Sequence, residues 1–380
     1  MKVISIGTDR NMFDNKSAVL ERNVLYSSKI SEMHQIVFTL KSENHKPYKI
    51  NNLSIYPTNS VSEWFYVRDA CRIGNTIFSK NNLVSKETVI STQDPFQTGL
   101  VGTYLAKKFQ LPLQVQIHTD YLSSNFSKTF LNKIRIIMAS YVIPKASEIR
   151  VVSETIKESL IKKFNKLENI DVLPVFVDID KIINFVPGRD IRKDFPQFDS
   201  IVLVASRLSP EKKIDLAIKA FKDVVEKYSR VGLVIAGDGP EKQSLEDLVS
   251  SLGLKNNVVF IGWQDDLISL YKTADIFILT SEFEGYGMTL IEAGASGIPI
   301  VTTKVGMAKS EIFKDGQNCF VCAVGDKKCL ADCMITLITE GELRELFKHG
   351  MQDSIKTTAI SKEEYADKYV GLLKKLVTNI

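Results

Sequence analysis

The sequence predicts an α/β protein of two domains, each a parallel sheet layered with helices. Three observations predict it. At 380 residues the chain is long for one hydrophobic core and comfortable for two. Strand-like and helix-like segments alternate from end to end, as α/β layering requires. Near the middle, VDIDKIINFVPGRDIRKDFPQFDS carries Pro187, Gly188 and Pro196 with weak periodicity, and reads as a linker over 178–198. The expected division is 1–180 and 181–360, with a closing helix over 361–380.

The first element is KVISIG, an apolar run too short for a signal peptide and suited to a strand. QIVFTL, TVISTQ, LQVQIH, EIRVVS and DVLPVF follow as strands, with GLVGTYLAKKFQ and SETIKESLIKKFN as helices among them. In the second half SIVLVAS, VGLVIAG, NVVFIG, DIFILT, IPIVTT and NCFVCAV read as strands. DLAIKAFKDVVEKY and EKQSLEDLVSSLG are helices between them. SKEEYADKYVGLLKKLV closes the chain as a helix that follows no strand.

Composition narrows the function classes. Hydrophobic residues at 44% and charged residues at 25% describe an ordinary soluble protein. A net charge of +4 is too small to announce nucleic acid as a partner. No window approaches the roughly 18 apolar residues of a membrane span, so a cytoplasmic protein is expected. Five cysteines, an odd number, suit a reducing compartment. Cys319 and Cys322 lie on a strand, where residues three apart face opposite ways, and Cys329 and Cys333 lie one helical turn apart. Four buried small residues are therefore expected, with no metal. Between Tyr121 and Arg150 five basic residues stand against one acid, interleaved with Phe126, Phe130, Leu131 and Ile134. As a helix this segment would turn its apolar side to the core, the ordinary arrangement, or rest on anionic lipid at the inner membrane face.

Candidate chemistry gathers at strand ends. In VASRLSPEKKID a strand runs into Arg207, and a helix is expected with Ser209 as N-cap and Pro210 at its first position. Lys212 in that first turn would oppose the helix dipole by ~0.3–1 kcal/mol, a conflict that a bound anion would remove. In IAGDGPEKQ, Gly237 and Gly239 flank a strand-to-helix turn but lack the third glycine of a dinucleotide fingerprint. In SEFEGYGMTLIEAGASGIP a glycine loop leads to a helix starting near Met288 or Thr289. Glu284 in the loop and Glu292 in the helix would bracket a ligand of hydroxyls and phosphates, while Thr289-x-x-Glu292 also fits a capping box. His118 ends LQVQIH beside Thr119 and Asp120. A lone histidine is usually structural, but one at a strand's carboxyl end is well placed for chemistry.

These segments together resemble the retaining nucleotide-sugar glycosyltransferases of family 4. The resemblance runs nearly unbroken from Ser91 to Val324, over STQDPFQTGLVG, QIHTDY, IRVVSETIK, VASRLSPEKKID, IAGDGPEKQSLE and EFEGYGMTLIEAGASGIPIV. It implies the GT-B fold: two facing Rossmann-like domains, a deep cleft between them, and a C-terminal helix crossing back to the first. It implies that Arg207 and Lys212 neutralise the donor diphosphate, that Glu292 binds the ribose and that Glu284 sits at the sugar ring. Gly7, Gly237, Gly239 and the amides of Gly287, Met288 and Thr289 would serve the donor, and His118 would reach the sugar. No cofactor is implied beyond the nucleotide sugar as co-substrate, and no metal, because arginine and lysine carry the diphosphate charge.

Two departures touch the acceptor side. The loop after the first strand holds only Gly7 where relatives carry a glycine pair, and Val175-Phe176 replaces the usual Asn-Gly. The acceptor is expected to be a hydroxyl on a glycan, a lipid-linked glycan or a small molecule. A sugar-nucleotide epimerase, a glycosyl phosphorylase and a non-catalytic nucleotide- or glycan-binding member remain as alternatives.

Overall fold

A computed structural model describes residues 1–81, 87–124, 126–165 and 167–378. The chain divides into two compact units, Met1–Phe176 with Ser361–Ile380, and Val177–Ile360.

The first unit is built on an eight-stranded sheet. Its strands are β1 (Lys2–Gly7), β2 (Glu32–Val37), β3 (Tyr48–Ile50), β4 (Leu53–Pro57), β5 (Thr88–Thr92), β6 (Leu113–Ile117), β7 (Glu148–Val151) and β8 (Ile170–Val172). Their order is β3-β4-β2-β1-β5-β6-β7-β8, parallel except for the β3–β4 pair. Helices α1 (Ala18–Ser28), α2 (Tyr66–Asn81), α3 (Gln97–Phe109), α4 (Phe130–Val142) and α5 (Glu154–Lys163) flank it. The inner strands are buried on both faces, so β1 runs mostly apolar, while β6 buries Gln114 and Gln116 between its apolar residues.

One element departs from expectation. The core-facing arrangement of the basic helix does not hold, because α4 turns much of its apolar surface outward. Phe130 is 77% exposed and Ile137 70%, with Leu131 and Tyr141 also exposed. Ala139 and Val142 are fully buried, with Ile134, Ile136 and Met138 half-buried on the inner side. Asn125 lies outside the described residues.

The second unit opens with α6 (Ile179–Ile183) and α7 (Ile191–Asp194), inside the segment expected to be a linker. Ile179, Ile182 and Ile191 are buried in its core, which explains why so short a stretch folds against the unit. The strands are β9 (Ser200–Ala205), β10 (Val231–Ala236), β11 (Val258–Gly262), β12 (Ile276–Leu279), β13 (Ile300–Thr303) and β14 (Phe320–Cys322). All are parallel, in the order β11-β10-β9-β12-β13-β14. The helices are α8 (Ile214–Val225), α9 (Lys242–Ser251), α10 (Leu267–Thr273), α11 (Met288–Ser296), α12 (Lys327–Thr339) and α13 (Gly341–Lys356). The closing helix, α14 (Lys362–Thr378), belongs to the first unit and packs on α1 and β5.

Cys319 and Cys322 point into the two different cores of this sheet, as their spacing predicts. Cys322 is not a free thiol, however. It is disulfide-bonded to Cys329, with Cα atoms 5.9 Å apart, because the turn from β14 to α12 folds back on itself. Among the described residues no helix is long and apolar enough to cross a membrane.

Candidate functional site

In the second sheet β10 and β11 extend from one side of β9, and β13 and β14 extend from β12 on the other. The carboxyl ends of β9 and β12 therefore flank the switch point, where open parallel sheets hold ligands. The segments that follow these two strands are joined there. Glu282 N donates to Glu211 O at 2.8 Å, and Thr280 Oγ1 donates to Lys213 O at 2.8 Å.

The helix expected at Ser209 starts later. Pro210–Lys212 forms one 3₁₀ turn, Lys213 takes φ +50°, and α8 begins at Ile214. Ser209 caps no amide; its Oγ donates to Glu211 Oε1 at 2.7 Å. Lys212 thus stands ahead of the α-helix, and the conflict with its dipole does not arise. Its Nζ lies 2.7 Å from Glu284 Oε1, which also accepts from Ser281 Oγ at 2.7 Å. The pair is well covered, with the lysine side chain 18% exposed and the glutamate 9%. Arg207 is more open and pairs with Glu211 at 3.0 Å. An ammonium has three donors and a guanidinium five, so each keeps hydrogens for an anion beyond its carboxylate partner.

Gly237 and Gly239 make the backbone of this corner possible. At Gly237, φ +144°, a Cβ would lie 1.9 Å from Ser206 O, and at Gly239 2.3 Å from Leu208 O. Their role in the structure is to let the turn after β10 close onto the segment that carries Arg207.

The capping box is also corrected. Gly287, at φ +91°, is the N-cap of α11, and Thr289 is already inside the helix, so it caps nothing. No side chain caps α11, so its first amides at Met288 and Thr289 are left without a side-chain acceptor. Glu292 lies one turn further on. Burial pushes its carboxyl up to about 7, and it has no hydrogen-bond partner among the described residues. Tyr271 was not anticipated. Its buried hydroxyl has no hydrogen-bond partner among the described residues, and burial first and Glu292 second hold the phenol well above its ordinary value. A tyrosine in the middle of an apolar helix gives no sequence signal of this kind.

In the first unit His118 directly follows β6 and lines a cavity of about 120 Å³ with Arg22, Gln93, Gln116, Arg150 and Phe176. Burial first, then Arg150 and Arg22, lower its pKa to about 3, so the imidazole is neutral. Gly7 ends β1, where a Cβ would meet Gln93 Oε1 at 2.7 Å and Gln35 Nε2 at 3.0 Å. Val175 and Phe176, which replace the expected Asn-Gly, line the same cavity. Arg207, Lys212, Gly237, Gly239, Glu284, Gly287, Met288, Thr289 and Glu292 thus belong to the second unit, and Gly7 and His118 to the first.

This is the GT-B fold, with two parallel-sheet Rossmann-like units. Sucrose-phosphate synthase from Thermosynechococcus elongatus has it with a TM-score of 0.81 at 17% identity, covering 100% of both chains. HepE from Anabaena, in complex with UDP and glucose, gives 0.76 at 19% identity, covering 99% of this chain and 100% of that one. Residues 190–352 match the family Glycosyl transferases group 1. N-acetyl-alpha-D-glucosaminyl L-malate synthase of Bacillus anthracis is 30% identical over 266 residues, 67% of this chain and 66% of that protein. The chain belongs to the group 1 glycosyl transferases, a family of transferase enzymes.

Proposed function

We propose that the chain moves a sugar from a nucleoside-diphosphate sugar to a hydroxyl acceptor, with retention of anomeric configuration and without a metal. The observation that carries this reading is the covered Lys212–Glu284 pair at the switch point of the second sheet. The uncapped start of α11 supports it. HepE, crystallised with UDP and with UDP-glucose, supports a nucleotide sugar as donor.

Lys212, Arg207 and the amides of Gly287, Met288 and Thr289 take the diphosphate. Glu292 accepts hydrogen bonds from the ribose hydroxyls. Glu284, fixed by Lys212 and Ser281, accepts from sugar hydroxyls and offsets positive charge growing at the anomeric carbon. The anomeric C–O bond to phosphate breaks, and a bond from the acceptor oxygen forms on the same face. The acceptor's proton passes to the departing phosphate oxygen. Negative charge grows on that oxygen in the transition state, where fixed cations act most strongly. His118, held neutral, serves as a hydrogen-bond partner rather than as a charge.

The apolar outer stripe of α4, with Lys133 and Arg135 beside it, favours a peripheral contact with an anionic membrane surface of the cytoplasm.

The test incubates the protein with a panel of nucleotide sugars and an acceptor extract, and measures free nucleoside diphosphate and glycosylated product. Lys212→Ala and Glu284→Gln are each expected to lower transfer by about 10²–10³-fold. Unchanged transfer in either variant would overturn the site. Sugar phosphate as product would favour a phosphorylase, and isomerised donor an epimerase.

A further inference from the structure

The cavity in the first unit carries more positive charge than its own residues balance. Arg150 projects from β7 and is 5% exposed. Its Nη1 donates to Gln116 Oε1 at 2.6 Å, its Nε to Leu173 O at 3.2 Å, and its Nη2 to Leu173 O at 3.0 Å, Pro174 O at 3.1 Å and Tyr365 Oη at 2.7 Å. Every one of these acceptors is neutral. They engage all three nitrogens of the guanidinium and leave its charge uncompensated, although buried cations are normally paired.

Arg22, half-buried on α1, lines the same cavity and has no hydrogen-bond or ion-pair partner among the described residues. The one carboxylate in the lining is Asp9, which accepts from Asn11 N at 3.1 Å and so caps the turn after β1. Asn23, Gln35 and Gln93 add neutral amides, and His118 adds a neutral imidazole. Two guanidiniums thus share one occupied carboxylate.

We propose that this cavity binds a phosphate group carried by the acceptor, with Arg22 as its bidentate ligand and Arg150 as the buried counter-charge. The proposal rests on the transferase reading above and names the class of molecule that receives the sugar. A phosphate monoester carries between one and two charges near neutral pH, which suits two guanidiniums better than a lone carboxylate does. The planar fork of Arg22 matches two phosphate oxygens, and its donors are unused. The amides around it suit the ester oxygen and neighbouring hydroxyls. A soluble sugar phosphate and a lipid-linked phosphate share this chemistry.

Calorimetric titration of inorganic phosphate into the full-length chain tests it, with nucleoside diphosphate present at saturation to fill the anion site of the second unit. Arg22 is the residue to vary, because Arg150 also holds the carbonyls of Leu173 and Pro174. Wild type is expected to bind phosphate. Arg22→Gln should bind about ten- to a hundredfold more weakly, and Arg22→Lys should fall between, with all three melting at the same temperature without ligand. No phosphate binding by wild type, or equal binding by Arg22→Gln, would overturn the proposal.

Competition then separates the sources. Displacement of phosphate by a soluble sugar phosphate, or by detergent-dispersed polyprenyl phosphate, supports the assignment and names the acceptor's carrier. Displacement by neither would overturn it. Failure of the donor reading shows separately, as absence of nucleoside diphosphate binding before phosphate is added.

Discussion

Glu292 is held by its surroundings in an unusual ionisation state. Its carboxyl is half-buried on α11 and pushed up to about 7 by desolvation. Because the folded value lies above the ordinary carboxylate value, the folded chain binds more protons than the unfolded one between about 4.5 and 7. Stability of the free protein from this group is therefore full at low pH and falls as pH rises through 7. A ribose that donates two hydroxyl hydrogens favours the ionised form and lowers the value again. Binding of a nucleoside diphosphate near pH 7 should thus expel a proton that Glu292→Gln cannot expel. Calorimetry in two buffers of different ionisation enthalpy reads this directly. Wild type is expected to release a fraction of a proton more than the variant, and the variant to be the more stable of the two at pH 8. Equal proton release would place the ribose elsewhere. Tyr271 belongs to the same account, since its unpartnered hydroxyl feels the charge of a carboxyl that a ligand would ionise.

Among the elements, legibility followed burial. Strands β1, β9, β10 and β12 read clearly from sequence because parallel strands covered on both faces are near-continuous apolar runs. The edge pair β3–β4 did not, being short and partly exposed at Tyr48–Ile50. Helix starts were the weakest reading. Ser209-Pro210 carries the usual signal, yet the left-handed turn at Lys213 delays α8, and that turn is held by Thr280, just beyond the end of β12. The site residues were nonetheless legible, because they follow strand ends whose positions were clear, while the pairing of Lys212 with Glu284 across 72 residues was not. For α4 the sequence showed basic and apolar residues together and could not say which side faced out. Phe130, Ile137 and Tyr141 recur at helical spacing along one outer stripe, with Lys145 Nζ 3.6 Å from the Tyr141 ring. Burying two such side chains in a lipid interface is worth ~3 kcal/mol, about a hundredfold in partitioning. Co-sedimentation with vesicles containing anionic lipid should therefore capture wild type at low salt, and Phe130→Ser/Ile137→Ser should lose most of that capture. Wild type left in the supernatant would remove the membrane contact.

For the molecule as a whole, the decisive fact is that the first unit is discontinuous in sequence and the second is not. The first needs α14, which returns after 184 residues of the second unit (177 to 360) have been made. Tyr365 Oη donates to Pro174 O at 2.7 Å and accepts from Arg150, and Tyr369 Oη accepts from Gln116 Nε2 at 3.1 Å. The Tyr369 ring stacks on Tyr26 at 4.4 Å, and Ala366, Val370 and Leu373 are buried with it. Removing α14 exposes this apolar surface and strips neutral partners from a buried arginine. Loss of one large buried aromatic alone costs ~3–5 kcal/mol, comparable with the whole stability of many domains. Residues 1–176 expressed alone are therefore expected to lack a cooperative unfolding transition. Residues 177–360 hold both faces of their sheet and every residue assigned to the donor except Gly7 and His118. That segment should unfold cooperatively by itself and bind nucleoside diphosphate within about tenfold of the full chain, by calorimetry. A segment 177–360 that folds but binds no nucleoside diphosphate would mean that donor affinity depends on residues of the first unit, Gly7 and its glutamine neighbours being the first to vary.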